Sequence, residues 1–351
     1  MSIDNPNGII KLPGPWRITF DTNPDTCNLH CIMCEEHSIY NKRSENKHRL
    51  MDFTIIKKVI ESASRHGLKE IIPSTMGEPL LYPQFEDIID IASKKRLKIN
   101  LTTNGTFSGR PARDWAIRIL PVISDVKVSI NGSNVTLNES IMNGINMNQQ
   151  LENIRELITF RDELKTNGST APTITFQVTY MEQNLNDLPD LLKLAIDMRV
   201  DRFKGHHLWV TNDAMITQDL RRNEDAISRW NKIVDRLNDI RNDEGNKSGH
   251  RIKLDNVYKI ANRKRIGNPV NTTVCPFLGR EAWIAWDGTF NVCCAPDELR
   301  KSFGDFGNVN QGDFMDLWNS NKYDALIKSW GSSKLCQRCN MRRPLRDLKG
   351  C

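Results

Sequence analysis

Strand-like and helix-like patterns alternate along the first two thirds of this sequence, and the alternation limits the possible folds more than any other feature. Runs of apolar, β-branched residues predict strands, and the segments between them carry apolar residues at helical spacing. In the clearest helix, over 52–66, Asp52 is placed to cap the first turn. The predicted strands cover 16–20, 69–74, 97–103, 122–131, 173–180 and 202–210.

Strands that alternate with helices form βαβ units and a parallel sheet. Six such units are too few for a closed eight-stranded barrel. We therefore predict an α/β fold, a partial (β/α)6 TIM-like barrel, whose reactive groups lie on the loops that follow the strands. The other predicted helices cover 83–96, 112–120, 148–165 and 185–198.

The composition changes after residue 215. A long, charge-rich helix is predicted over 220–243, followed by a polar breaker at 244–250. Beyond it, the dipeptide Asp287-Gly288 predicts a hairpin turn, and a helix is expected from Asp313 to about Ser329. We therefore divide the chain into a barrel at 1–215, a helical linker at 216–265 and a cysteine-rich domain at 266–351.

Charge and targeting signals narrow the class of protein. A net charge of +6 over 351 residues is mild and gives no reason to expect a nucleic acid partner. The amino terminus has neither the basic nor the apolar region of a signal peptide, and no apolar run could span a membrane. We expect a cytoplasmic protein, in which the nine cysteines are metal ligands or reactive thiols and not disulfides.

Three of these cysteines, Cys27, Cys31 and Cys34, follow the first predicted strand within eight residues. Three thiolates can hold one cubane iron–sulfur cluster and leave its fourth iron open to a small molecule. The alternative is a structural zinc site with His30 as the fourth ligand, although zinc usually takes its ligands as two separated pairs. The position after a barrel strand favours the reactive cluster.

This loop resembles the CxxxCxxC signature of the radical S-adenosylmethionine (SAM) superfamily, and the resemblance extends over nearly the whole chain. Gly77-Glu78-Pro79 is similar to the family's motif for the SAM amino group, and Ser129-Ile130-Asn131-Gly132 to its ribose-contacting segment. Asn131 stands where an Asp is common, and Met33 where the family usually has an aromatic residue near the adenine. The residues implied in cofactor binding are Met33, Gly77, Glu78, Pro79, Thr103, Asn104, Ser129 and Asn131.

The resemblance implies a reaction. SAM would bind the open iron, and one electron would cleave it to a 5′-deoxyadenosyl radical that abstracts hydrogen from the substrate. The electron would come from a donor such as a flavodoxin or ferredoxin. The protein itself would orient the reactants and exclude water.

A second set of cysteines lies near the carboxyl terminus: Cys275, Cys293, Cys336 and Cys339. Four thiolates complete the shell of an iron–sulfur cluster, although the same spacing could hold zinc. With Gly307-Asn308-Val309 and Leu317-Trp318, the pattern resembles the SPASM/twitch domains of radical SAM enzymes, in the shorter form that holds one auxiliary [4Fe–4S] cluster. The resemblance thus implies two [4Fe–4S] clusters in all.

Two cysteines remain, Cys294 and Cys351. Cys294 is either a hydrogen-atom donor on the substrate side or a small residue packed behind the cluster. Cys351 ends the chain, where order is usually lost, and is either incidental or an alternative cluster ligand. Tyr180, at the end of the fifth strand, is either a second hydrogen donor or a packed aromatic residue.

His206 and His207 end the sixth predicted strand, and Glu182 follows the fifth. All three are candidates for substrate contact, but strand alternation allows only one of the two histidines to face inward.

We expect an oxidoreductase or epimerase that acts on a small polar substrate such as a sugar or aminocyclitol alcohol. The alternatives are a radical SAM peptide maturase, which takes a short peptide, and a zinc-stabilised RNA-binding protein.

Overall fold

The computed structural model describes residues 9–41, 48–73, 76–260, 273–339 and 341–344. Its centre is a run of six parallel strands that lie side by side in chain order. Their number and order confirm the predicted partial barrel, which does not close. The strands are β1 (Arg17–Phe20), β2 (Glu70–Ile72), β3 (Lys98–Thr103), β4 (Ile123–Ser129), β5 (Thr173–Tyr180) and β6 (Arg202–His207).

Helices pack on the outer face of this sheet. Asp52 caps α1 as predicted, since its side chain accepts a hydrogen bond from the Thr54 backbone N–H at 2.8 Å. The helices are α1 (Phe53–Ala63), α2 (Phe85–Lys94), α3 (Ala112–Ile119), α4 (Val135–Ile141), α5 (Met147–Thr166), α6 (Leu188–Asp197) and α7 (Glu224–Ser248). The helix α4 was not predicted, although Asn134 caps its first turn.

The predicted breaker at 244–250 was wrong, because α7 continues through most of it. The helix ends instead at Gly249, which adopts the left-handed conformation with φ of 67°. Trp230 and Leu237 of α7 are fully buried, so one face of the helix is packed. Polar residues on the other face do not end a helix that is stabilised by such packing.

The sheet extends on both sides of the six strands. β7 (Lys253–Asp255) pairs parallel with β6, and β9 (Glu281–Ile284) pairs parallel with β1. β10 (Phe290–Asn291) pairs antiparallel with β9 through the predicted turn at Asp287-Gly288, where Gly288 has a φ of 86°. The remaining strands, β8 (Thr273–Val274) and β11 (Arg343–Pro344), form a separate antiparallel pair.

The expected helix from Asp313 to Ser329 is two helices, because Ser320 caps a new amino terminus and its hydroxyl accepts from the Tyr323 N–H at 3.3 Å. A bond from Ser62 of α1 to Asp313 at 2.8 Å joins this region to the barrel. The helices here are α8 (Asp297–Arg300), α9 (Phe314–Trp318), α10 (Asn321–Lys328) and α11 (Lys334–Arg338).

Within the described residues, no helix is both long and apolar enough to cross a membrane. The domain limits at 215 and 265 stay a prediction, and residue 265 and Cys351 lie outside the described residues.

Candidate active site

A half-open cavity of about 290 Å³ lies at the carboxyl ends of the barrel strands. Its wall is built from the loops after several strands, which is where a barrel presents reactive groups. The predicted site residues that line it are Cys27, Cys31, Met33, Cys34, Gly77, Glu78, Thr103, Asn104, Ser129 and His206.

The cysteine loop after β1 is fixed by its backbone. The N–H of Ile32 donates to the carbonyl of Ile141 at 3.0 Å, and the N–H of His30 to that of Asn143 at 2.8 Å. The unpredicted α4 therefore ends against the loop and holds it in place. Backbone N–H groups also point at sulfur, from Leu29 to Cys27 at 3.5 Å and from His37 to Cys34 at 3.3 Å.

Burial makes these thiols poor acids on their own. It raises the pKa of Cys27 to about 11 and raises the pKa values of Cys31 and Cys34 as well, since a thiolate is costly in an apolar wall. A bound metal centre would offset that cost, because its positive charge stabilises thiolates.

The donor set fits an iron–sulfur cluster, because the side chains of Cys27, Cys31 and Cys34 line the same cavity. A cubane binds each thiolate on a different iron, so its ligands need not converge on one point. His30, the fourth ligand of the zinc alternative, is exposed, and its Nδ1 lies 3.3 Å from the His37 carbonyl oxygen.

Glu78 is held at the cavity wall by the neighbouring loops. Its carboxylate accepts from the Thr103 hydroxyl at 2.7 Å and from the Asn104 N–H at 2.8 Å, and only 3% of the residue is exposed. Burial raises the pKa of Glu78 to about 7. A carboxylate has about four acceptor positions, so Glu78 can still accept from an ammonium group.

Gly77 allows this loop to approach the first one. A Cβ built at Gly77 would lie 2.0 Å from the carbonyl oxygen of Asn23 and 2.7 Å from that of Thr26. Any side chain at this position would collide with the backbone that precedes the cysteine loop, so glycine is required here.

Two residues of the implied cofactor site lie behind the wall. Pro79 is buried and begins a short 3₁₀ helix. Asn131 is 1% exposed, and its Oδ1 accepts from the Thr179 N–H at 2.9 Å. Neither residue lines the cavity, so both lie behind its wall and support the residues that do.

The structure separates the two histidines, as strand alternation requires. His206 faces the cavity, with Nδ1 3.2 Å from Nε2 of Gln177, and burial lowers its pKa to about 4. It is therefore neutral near pH 7. His207 faces the opposite way and packs against Trp230 and Tyr180, with ring centroids 4.6 and 5.6 Å away.

Tyr180 and Glu182 do not line this cavity either. Tyr180 is fully buried against Gly205, where a Cβ would lie 2.3 Å from the Tyr180 ring. Glu182 forms ion pairs with Arg222, at 2.5 Å, and with Arg229. Tyr180 is thus a packed core residue and Glu182 an ion-pairing residue, and both lie away from the cavity.

The second cysteine set comes together as predicted. Cys275, Cys293, Cys336 and Cys339, together with Cys294, line one apolar cavity in the carboxyl-terminal region. Backbone N–H groups again point at the sulfurs: Leu278 to Cys275 at 3.4 Å, Ala295 to Cys293 at 3.5 Å and Met341 to Cys339 at 3.3 Å. These thiols fit a second cluster, with Cys294 beside it.

Sequence reasoning missed Glu35 and Trp209. Glu35 follows the last cysteine of the first loop and lines the first cavity. Trp209 lies just beyond β6 and lines both cavities. Glu35 follows a cysteine and Trp209 follows a barrel strand, and both positions could have marked them as candidates. Only the folded chain shows that their side chains line the cavities.

Comparison with known proteins decides the family. The model of the radical SAM superfamily matches residues 24–195, and that of the iron–sulfur cluster-binding SPASM domain matches residues 275–340. The chain is a radical SAM enzyme with a SPASM domain. Its cofactors are accordingly SAM and [4Fe–4S] clusters.

Two relatives of this radical SAM enzyme match most of the chain and about half of it, respectively. The tungsten-containing aldehyde ferredoxin oxidoreductase cofactor-modifying protein of Pyrococcus furiosus is 26% identical over 311 residues, which are 85% of this chain and 79% of the relative. A probable GTP 3′,8-cyclase of Methanococcus maripaludis is 27% identical over 52% of this chain, and the match spans only 60% of that relative.

Solved radical SAM structures share the fold. SuiB of Streptococcus suis bound to precursor peptide SuiA has a TM-score of 0.64 at 15% identity, covering 94% of this chain and 72% of SuiB. The enzyme anSMEcpe with bound AdoMet and Cp18Cys peptide has a TM-score of 0.61 at 17% identity, covering 93% and 86% of the two chains. At these identities the likeness concerns the fold alone.

Proposed function

We propose that this radical SAM enzyme activates a C–H bond of a peptide held between its two cluster sites. The observation that carries the proposal is the shared wall between the two cavities. Trp209 lines both, and the consecutive residues Ala295 and Pro296 line one each. A substrate in the first cavity would therefore lie one side chain away from the second.

In this proposal Cys27, Cys31 and Cys34 hold the SAM-binding cluster, and Cys275, Cys293, Cys336 and Cys339 hold the auxiliary cluster. When bound, SAM and the reduced cluster supply the one-electron chemistry that activates a C–H bond. Cys294 lines the auxiliary cavity and is kept as a candidate hydrogen donor.

The chain's own residues supply orientation and shielding. Glu78, which Thr103 and Asn104 hold in place, would accept a hydrogen bond from the ammonium group of SAM. His206 is neutral and can exchange hydrogen bonds with the substrate without adding charge. Trp209 separates the cavities and keeps water from the space between them.

Peptides are preferred over sugars as the substrate class because SuiB and anSMEcpe were solved with peptides bound. The expectation of a sugar or aminocyclitol, and with it an alcohol oxidation or epimerisation, finds no support among these relatives. A flavodoxin or ferredoxin as electron donor and a cytoplasmic location remain part of the proposal.

The test uses cluster-loaded enzyme with SAM and dithionite in the absence of oxygen. Peptides encoded by short reading frames beside this gene are prepared with deuterated side chains, and a panel of deuterated sugars and aminocyclitols runs in parallel. We expect deuterium from a peptide to appear in 5′-deoxyadenosine. Transfer only from a sugar would overturn the peptide assignment, and failure to cleave SAM would contradict the assigned cofactor chemistry.

A further inference from the structure

One arginine lies beside the second cysteine set. Among the described residues that line this cavity, Arg342 alone has a charged side chain, and those other than the cysteines are aliphatic or aromatic. A charge in apolar surroundings is weakly screened and acts strongly on its neighbours. The guanidinium group keeps its proton in proteins, so the cavity wall contains a permanent cation.

The backbone near Arg342 fixes its place. The next residue, Arg343, begins β11, which pairs with β8, and Cys275 follows β8 directly. The Tyr258 hydroxyl donates to the Arg342 carbonyl oxygen at 3.5 Å. Arg342 is therefore tied to the strand that leads into the first cysteine of the set.

The guanidinium is oriented by hydrogen bonds with uncharged acceptors. Nε donates to the Cys339 carbonyl oxygen at 3.4 Å, and Nη2 donates to the Gln337 carbonyl oxygen at 2.9 Å. Nη1 donates to the Thr273 hydroxyl at 3.3 Å. These three bonds hold the group in place without neutralising its charge, and they leave further N–H groups of the fork unused.

A cation at this place affects one property of a cluster above all, its reduction potential. A cubane with four thiolates is an anion, and one-electron reduction makes it more negative. A nearby positive charge stabilises the reduced form more than the oxidised form, which raises the potential. No Lys or Arg among the described residues lines the first cavity, so this effect is directed at the second cysteine set.

We propose that Arg342 raises the reduction potential of the auxiliary cluster, so that this cluster accepts an electron more readily than its thiolates alone would allow. The inference rests on the proposed function for the four cysteine ligands of that cluster, but not for the peptide substrate. Arg342 itself keeps its proton and is neither oxidised nor reduced. The electron that the cluster gains comes from the reductant, which is dithionite in the test below.

The test is an anaerobic redox titration of full-length, cluster-loaded protein with dithionite and mediators, followed by electron paramagnetic resonance. Every protein also carries Cys31→Ala, which should remove the first cluster and leave the signal of the auxiliary one. Arg342→Gln should lower the midpoint potential by at least about 59 mV, which is a tenfold smaller ratio of reduced to oxidised cluster at a fixed potential. Arg342→Lys keeps the charge and should lower the potential less.

Arg338→Gln is the matched control. Arg338 directly precedes Cys339 and its replacement removes the same charge, but Arg338 is exposed and does not line the cavity. Water and salt screen an exposed charge, so the midpoint potential should stay at the value of the parent protein. Each protein should bind about four irons, which shows that the auxiliary cluster is intact.

An unchanged potential in Arg342→Gln would overturn the inference, and so would an equal shift in Arg338→Gln, since the effect would then belong to the net charge of the chain. Loss of the auxiliary cluster from both Arg342 variants would also overturn it, because Arg342 would then be needed to build the site. A parent protein with Cys31→Ala that binds no cluster would contradict the ligand assignment of the proposed function, and the inference with it.

Discussion

The hydroxyl of Thr103 donates to the carboxylate of Glu78 across 2.7 Å, and this bond joins the end of β3 to the loop after β2. The backbone N–H of Asn104 binds the same carboxylate at 2.8 Å. Both donors come from one strand end, and they hold the Glu78 carboxylate in the absence of a ligand. Under the proposed function, Thr103 and Asn104 thus position the acceptor for the SAM ammonium group, whereas the sequence analysis expected them to contact the cofactor themselves.

Glu78→Gln should weaken SAM binding by at least about tenfold, which corresponds to about 1.4 kcal/mol. The amide removes the negative charge and turns an NH₂ group toward one of the two donors. Anaerobic calorimetry with SAM measures the loss. Glu86→Gln, on the outside of α2 and paired with Arg118, is the control and should bind SAM normally. Equal affinity of the two variants would contradict the role of Glu78.

Gly77→Ala should abolish SAM cleavage, because the added Cβ would lie 2.0 Å from the Asn23 carbonyl oxygen and force the two loops apart. The measurement is 5′-deoxyadenosine formed with SAM and dithionite, together with the iron content. Gly312→Ala is the matched control, since nothing lies within 4 Å of a Cβ at Gly312. Normal cleavage by Gly77→Ala would show that the loops tolerate separation.

Cys31→Ala and Cys293→Ala should each lose one cluster and keep the other. Wild-type enzyme should bind about eight irons, at four per cluster, and each variant about four. Only Cys31→Ala should lose SAM cleavage altogether, because Cys293 lines the other cavity. Iron and sulfide analysis with a SAM-cleavage assay checks this. Two zinc ions in place of iron in the wild type would refute the assignment.

Cys294→Ala should keep both clusters and still form 5′-deoxyadenosine, but give less product if Cys294 returns a hydrogen atom to the substrate. The thiol lies among the second set of cysteines and is not required to complete a shell of four. Product yield per 5′-deoxyadenosine, measured by mass spectrometry, is the quantity to compare. An unchanged yield would leave Cys294 a packing residue.

His207→Phe should reduce the acid sensitivity of the fold. Burial lowers the pKa of His207 to about 3, so this side chain stays neutral in the folded protein at pH 5.5. In the unfolded chain its pKa is about 6.5, so it is mostly protonated at that pH. The unfolded state therefore binds more protons, and His207 alone lowers the free energy of unfolding by about 1.4 kcal/mol from pH 7.5 to pH 5.5.

Phe keeps the packing against Tyr180 and Trp230 but cannot titrate. Anaerobic urea unfolding of the cluster-loaded protein at the two pH values is the measurement. The variant should lose less stability than the wild type over this step, and an equal loss would mean that His207 titrates in the folded state.

Local patterns predicted what depends on local structure. The six central strands, the Asp52 cap, the turn at Asp287-Gly288 and the first cysteine loop follow from period, capping and spacing. They were predictable because neighbouring residues in the sequence determine them. The second cysteine set spans residues 275–339, and its prediction depended on the resemblance to SPASM/twitch domains.

Features that depend on distant contacts were not predictable in this way. α4 lacks a strong apolar period, and its placement depends on hydrogen bonds with the cysteine loop. The position of Glu35 depends on Asp297, which is far away in the sequence. Alternation showed that one histidine faces inward, but the register with β5 was needed to decide that it is His206.

The parallel pairing of β9 with β1 limits how this enzyme can be truncated into separate domains. β1 carries the cysteine loop, and its outer edge is covered by β9 from the carboxyl-terminal region. A fragment that lacks β9 would expose a row of unpaired amides and carbonyls beside the reactive loop and would be prone to self-association. The auxiliary module is in this sense part of the catalytic scaffold, because it supplies the strand that covers the edge of β1.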